Sequence, residues 1–128
     1  MEAMETRGGP LGDPGVVVLY NQPAAGPWPE AEAGILEEVR AVLDALAGPG
    51  RPARPAGIRS LAEAAAALDG PETLVFNLVE SLPGDSGPAV NSIPALCRAL
   101  GKGCTGNDSA GLALCLDKAL AGQLLQAA

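Results

Sequence analysis

The sequence predicts an α/β domain: a three-layer sandwich with a short, mostly parallel four-stranded sheet and helices on both faces. Three observations predict it. Two short apolar runs, VVVLY at 16–20 and LVFNLV at 74–79, have the near-continuous hydrophobicity of strands covered on both sides. Other stretches carry apolar residues at helical spacing. The two kinds of segment alternate along the chain, and right-handed crossovers between alternating elements place the strands side by side in parallel.

Composition narrows the rest. At 128 residues the chain is long enough for one core. Hydrophobic residues make up 48% but aromatics only 2%, so Leu, Val, Ile and Ala must fill that core, and alanine adds little buried area. The net charge of −7, with eight dispersed basic residues, argues against nucleic acid or an anionic membrane as partner. Residues 1–14 are acidic, lack an apolar run and read as a disordered tail ahead of a domain at 15–128. No apolar run is long enough to cross a bilayer. Cys97, Cys104 and Cys115 form no CxxC pair and read as reduced, mostly buried thiols of a cytoplasmic protein. With no histidine, no metal site is expected.

The elements follow in order. The first strand, GVVVLYNQP, is ended by Asn21 and Pro23. A loop, AAGPWPEAEAG, leads into a helix with Glu30 and Glu32 near its start, where the helix dipole favours carboxylates. Ile35, Val39, Val42 and Leu46 give that helix its core face, while Glu37, Arg40 and Asp44 can pair on the other. Gly48-Pro49-Gly50 stops it. RPARPAGI holds the next strand, which its prolines should leave as a frayed edge. Ser60 and Glu63 form a capping box for a short alanine-rich helix ending at Gly70-Pro71. After the strand at 74–79 comes a helix that carries Val90, Ile93, Leu96 and Leu100 and starts near Asn91 or Ser92, with Pro94 in its first turn. A very short strand around Cys104 and Thr105 follows. Asp108 or Ser109 then caps one last helix bearing Leu112, Leu116, Leu120 and Leu124.

Open parallel sheets bind ligands beyond the carboxyl ends of their strands. Asn21, residues 77–85 and residues 105–108 should gather there. The glycines in these segments form neither GxxxxGK[ST] nor a GxGxxG between strand and helix. Glu80 and Asp85 are candidate paired acids, although loop carboxylates are more often simply solvated. Without histidine or a reactive-cysteine setting, no nucleophile–base pair can be assembled.

Five collinear segments nevertheless resemble the N-terminal domain of D-alanine–D-alanine ligases and ligase-like ATP-grasp proteins. They are Phe76-Asn77-Leu78-Val79-Glu80, Pro94-Ala95-Leu96, Gly103-Cys104-Thr105-Gly106, Leu112-Ala113-Leu114-Cys115-Leu116-Asp117-Lys118, and VVVLYNQP with its following helix. They are similar to the family's "FNL-E-G" loop, "PALLE" helix, "GIPYTGS" turn, "ALALSMDK" run and first strand, over roughly 15–126.

The resemblance implies a Rossmann-like pre-ATP-grasp domain, inactive alone, followed by central and C-terminal ATP-grasp domains that hold ATP and magnesium. The family phosphorylates the carboxylate of one D-alanine for attack by the amine of a second, in peptidoglycan biosynthesis. On this resemblance Glu32 lies by the first amino acid and Lys118 reaches the nucleotide phosphates; Asn77 and Glu80 are strand-end substrate contacts. No catalytic residue and no bound cofactor are expected in this chain, and its partners are the ATP-grasp domains and a second copy in a homodimer. Ala31 and Ala33 flank Glu32 where the family has serine and a basic or histidine residue, Asn77 replaces the histidine of "HG", and Asn107 replaces a serine. The alternative is a stand-alone, non-catalytic α/β module that binds a partner or small ligand.

Overall fold

A computed structural model describes residues 13–23, 26–27, 29–82 and 91–128. Four strands, β1 (Val16–Asn21), β2 (Ala53–Ile58), β3 (Leu74–Leu78) and β4 (Gly103–Cys104), alternate with helices α1 (Pro29–Ala47), α2 (Leu61–Ala67), α3 (Ser92–Ala99), α4 (Ser109–Leu116) and α5 (Lys118–Ala127). The strands form one sheet in the order β2-β1-β3-β4, and every pairing is parallel. The two apolar runs are neighbours at its centre and the Cys104 segment lies at an edge.

β1 is the spine of the sheet. Its successive side chains face opposite ways, and Val17, Val18 and Leu19 are all fully buried. Val17 and Leu19 join Val75 of β3 in a core with Ile58, Ala64, Leu68, Ile93 and Cys97, the layer built by α2 and α3. Val16 and Val18 turn to the other face, where α1 packs over β1 and β2 and buries Val39. The core is thus aliphatic with one thiol. On the outer side of α1, Glu37, Arg40 and Asp44 are exposed and make none of the ion pairs that their spacing allows.

Two expectations are corrected. β2 is not frayed: all six residues pair with β1, from Val16 opposite Ala53 to Asn21 opposite Ile58. The carbonyls of Pro52 and Ile58 accept from Val16 and Gln22, both at 2.9 Å, so the even-numbered residues of β2 turn their backbone groups inward. Pro55, which has no N–H to give, therefore faces away from the sheet, the position an edge strand tolerates. The last helix, in turn, is two. Asp117 leaves helical geometry at φ −98°, ψ 89°, and its carboxylate accepts the Leu120 N–H at 2.9 Å, capping α5. Leu112 is half-buried, while Leu116, Leu120 and Leu124 are exposed.

The Ser60 cap forms as predicted, with the Glu63 N–H donating to Ser60 Oγ at 3.1 Å. The Glu63 carboxylate reaches one residue further back than a capping box requires and accepts from the Arg59 N–H at 2.6 Å. Of the residues read as a tail, 1–12 lie outside the described chain. Asp13 is fastened: it accepts from the Gly15 N–H at 2.9 Å and pairs with Arg51 Nε at 3.1 Å.

Charge enters the fold at the amino ends of the strands. Glu72, just before β3, is buried and forms a two-point ion pair with Arg54 of β2, whose Nη2 also donates to the Ala67 carbonyl at 2.6 Å. Lys102, just before β4, donates to the carbonyls of Gly70 and Glu72 at 2.8 and 2.5 Å. One cluster thereby ties β2, β3 and β4 together. Gly70 leaves it room, since a Cβ there would overlap the Glu72 carboxylate. The Arg54 guanidinium bonded to it holds the Glu72 carboxyl below the ordinary glutamate range, outweighing burial.

A carboxyl held below its unfolded value stabilises the fold fully above that value, about 4.3 for glutamate, and the contribution is lost as pH falls through the lower folded value. Glu72→Gln should cost about 1.5–3 kcal/mol at pH 7, the worth of hydrogen bonds to a charged group. Urea denaturation is expected to show this loss at pH 7, and to show that the variant loses less stability than the parent on going below pH 4.

Candidate functional site at the carboxyl edge of the sheet

In a parallel sheet all strands finish at one edge, so their terminal residues share it. Asn21 ends β1. Its Oδ1 accepts from the Glu80 N–H at 2.8 Å and the Ser81 N–H at 3.3 Å, and its amide nitrogen donates to the Ser81 carbonyl. One side chain thus holds the loop that leaves β3. Asn77, in β3, bonds in two directions. Its backbone N–H donates to Thr105 Oγ1 at 2.9 Å, joining β3 to the turn after β4, and its Oδ1 accepts the Val79 N–H at 3.0 Å. Val79 and Leu82 anchor the loop in the core, leaving Glu80 exposed. Asn91, which precedes α3, adds a buried Oδ1 with no hydrogen-bond partner among the described residues.

The predicted site residues separate into distinct situations. Asn77 and Glu80 share the edge with Asn21 and Thr105, although the Asn77 side chain is engaged with its own loop. Lys118 is exposed at the first position of α5, a helix that packs on α4. Glu32 falls within α1, but its side chain lies outside the described residues, as do Gly84, Asp85 and Gly87 of the acidic loop.

A cavity of about 480 Å³ runs along the outer side of β4 to the start of α4. Arg98, Cys104, Asn107 and Asp108 are among its lining residues. The Asp108 carboxylate accepts the Gly111 N–H at 2.7 Å and so occupies the first turn of α4. Sequence reasoning placed 105–108 at this edge but missed the cavity, because its other wall comes from the end of α3 and the 101–103 turn. The clamp by Asn21 was partly legible: an asparagine closing a buried strand offers both an acceptor and a donor to whatever crosses the strand end.

No protein-family model, curated protein or solved structure matches the chain. Among the described residues no group of three or more His, Cys, Asp or Glu is placed to hold a metal ion, and no helix is long and apolar enough to span a membrane. A magnesium–nucleotide needs carboxylates for the ion and several donors around the phosphates. The described residues do not provide that set. The edge offers instead a hydrogen-bonded polar frame in which, among the described residues, the Glu80 carboxylate is exposed.

Replacing Asn21 by Ala removes the acceptor for two backbone donors and should cost about 0.5–1.5 kcal/mol. Hydrogen exchange is expected to accelerate at the Glu80 and Ser81 amides before it changes at Val17 or Val75.

Proposed function

We propose that this chain is the N-terminal, substrate-side domain of a D-alanine–D-alanine ligase-like, ATP-dependent carboxylate–amine ligase. It is inactive without ATP-grasp domains. One observation supports this reading best: the Asn77 N–H bonds to Thr105 Oγ1 at 2.9 Å across 28 residues of sequence. Two of the segments that carry the resemblance, FNLVE and GCTG, therefore meet at the edge where α/β sheets take ligands. In this reading Asn77 shapes the loop, while Glu80 and Glu32 are the residues assigned to the amino-acid substrate. Lys118 stands at the positive end of α5, where the helix dipole disfavours a cation and where it has no ion-pair partner among the described residues. A nucleotide phosphate would supply the missing negative charge. ATP and magnesium are otherwise held by the ATP-grasp domains.

The isolated chain, titrated with Mg–ATP by calorimetry, is expected to give no isotherm, and D-alanine no thermal shift. A micromolar isotherm abolished by Lys118→Ala would place a working nucleotide site within this domain and overturn the reading. Joined to ATP-grasp domains, the chain should release ADP in the presence of D-alanine or a related amino acid. Lys118→Ala should then lower that rate about ten- to a hundredfold, the worth of one charge-assisted contact. No ADP release from the joined protein would favour a stand-alone binding module, which the engaged Asn77 side chain also fits. Cytoplasmic placement and self-association belong to the main reading. Leu116, Leu120, Leu124 and Leu125 are exposed along the last two helices, and light scattering should show a dimer at high concentration rather than a strict monomer.

A further inference from the structure

Two of the three thiols are neighbours. Cys97 lies on the inner side of α3, fully buried in the core, and Cys104 ends β4 and packs against the same cluster from the sheet edge. The turn between them brings the strand back along the helix: the Lys102 N–H donates to the Cys97 carbonyl at 2.8 Å. The result is two thiols in one packed cluster, with the Cys104 Sγ–H donating to the Thr105 carbonyl at 3.5 Å. The pair is asymmetric in access. Cys104 lines the 480 Å³ cavity, near Arg98, whereas Cys97 is closed off inside the core. The pair is also asymmetric in charge. The neighbouring Cys104, reinforced by burial, pushes the Cys97 thiol up, while the neighbouring Cys97 lowers that of Cys104. Cys115 is exposed on α4 and shows no such contact, which makes it an internal control.

A cavity-lining thiol packed beside a second, core-buried thiol is the arrangement of a reversible oxidation site. We propose that Cys104 is the oxidation site of this protein and Cys97 its resolving thiol, with a small hydroperoxide as the oxidant. The Cys104 thiolate attacks the terminal oxygen of ROOH; the S–O bond forms as the O–O bond breaks, and RO⁻ takes a proton to leave as ROH. The Cys97 sulfur then attacks the resulting sulfenic acid. The S–S bond forms, the Cys97 proton joins the departing hydroxyl, and water is released. Sulfur loses two electrons overall and the peroxide gains them. A dithiol reductant reverses the step. The disulfide would fix β4 to α3 one residue from Thr105, whose hydroxyl holds the Asn77 backbone.

Hydrogen peroxide titration of the full chain tests this. Cleavage after Arg98 and Lys102 separates the two cysteines into different tryptic peptides, so the disulfide is read directly as a linked pair. The chain carrying Cys115→Ala should lose both free thiols without forming a disulfide-linked dimer, and gain a linked pair that dithiothreitol separates. In the parent chain Cys104 should be consumed about tenfold faster than the more exposed Cys115. In Cys104→Ser, Cys97 should remain reduced at peroxide concentrations that oxidise the parent. Consumption of Cys115 first, or a Cys115→Ala chain whose Cys97 and Cys104 stay unlinked, overturns the proposal, and neither readout depends on ligase activity.

Discussion

The structure depends on β1 being buried from both sides. A strand with Val17, Val18 and Leu19 fully enclosed cannot leave backbone donors or acceptors to solvent, so it must be flanked by strands that take up all of them. β2 and β3 do so in matching parallel register. Parallel neighbours demand crossovers, crossovers supply helices to both faces, and those helices complete the burial. The remaining architecture follows from that one enclosed segment.

Both ends of the sheet are then closed by polar groups, in different ways. At the amino ends, Arg54, Glu72 and Lys102 use full charges, and the Arg54 hydrogen bonds outweigh the burial of the Glu72 carboxylate. At the carboxyl ends, Asn21 and Asn77 use neutral amides that satisfy loop backbone. The charged end holds strands together, whereas the neutral end holds loops in place and leaves Glu80 free. The charged cluster and the neutral amides are thereby kept about one strand length apart.

The fold was legible because its strongest signals are local. VVVLY and LVFNLV reveal two-sided burial in their composition, and Ser60 with Glu63 marks a helix start in four residues. Position along an edge is less visible. Whether Pro55 breaks a strand depends on which side of β2 its nitrogen faces, and only pairing with β1 decides that. The Asp117 break was hidden because leucine spacing continues through it, while an aspartate carboxylate can stop one helix and begin the next. The candidate site was legible as a place more than as a set of groups. Strand ends located Asn21, Asn77 and Thr105, but the Arg54–Glu72–Lys102 cluster joins residues far apart in sequence, and the cavity beside β4 is shaped by how α3, a turn and β4 fold together; neither leaves a motif. The thiol pair has the same origin, since seven positions separate Cys97 from Cys104 and only the turn at 100–103 folds one against the other.

The outward-facing Pro55 has a consequence for how copies of the protein can meet. An open sheet edge invites another strand to continue the ladder, the usual route to fibrous aggregates. Along β2 the alternate positions that would bond an incoming strand include a residue with no donor, and at the opposite edge β4 is only two residues long. Neither margin can template an extended addition. Association between molecules is therefore steered away from backbone ladders and toward side-chain surfaces, where sequence controls which partners fit.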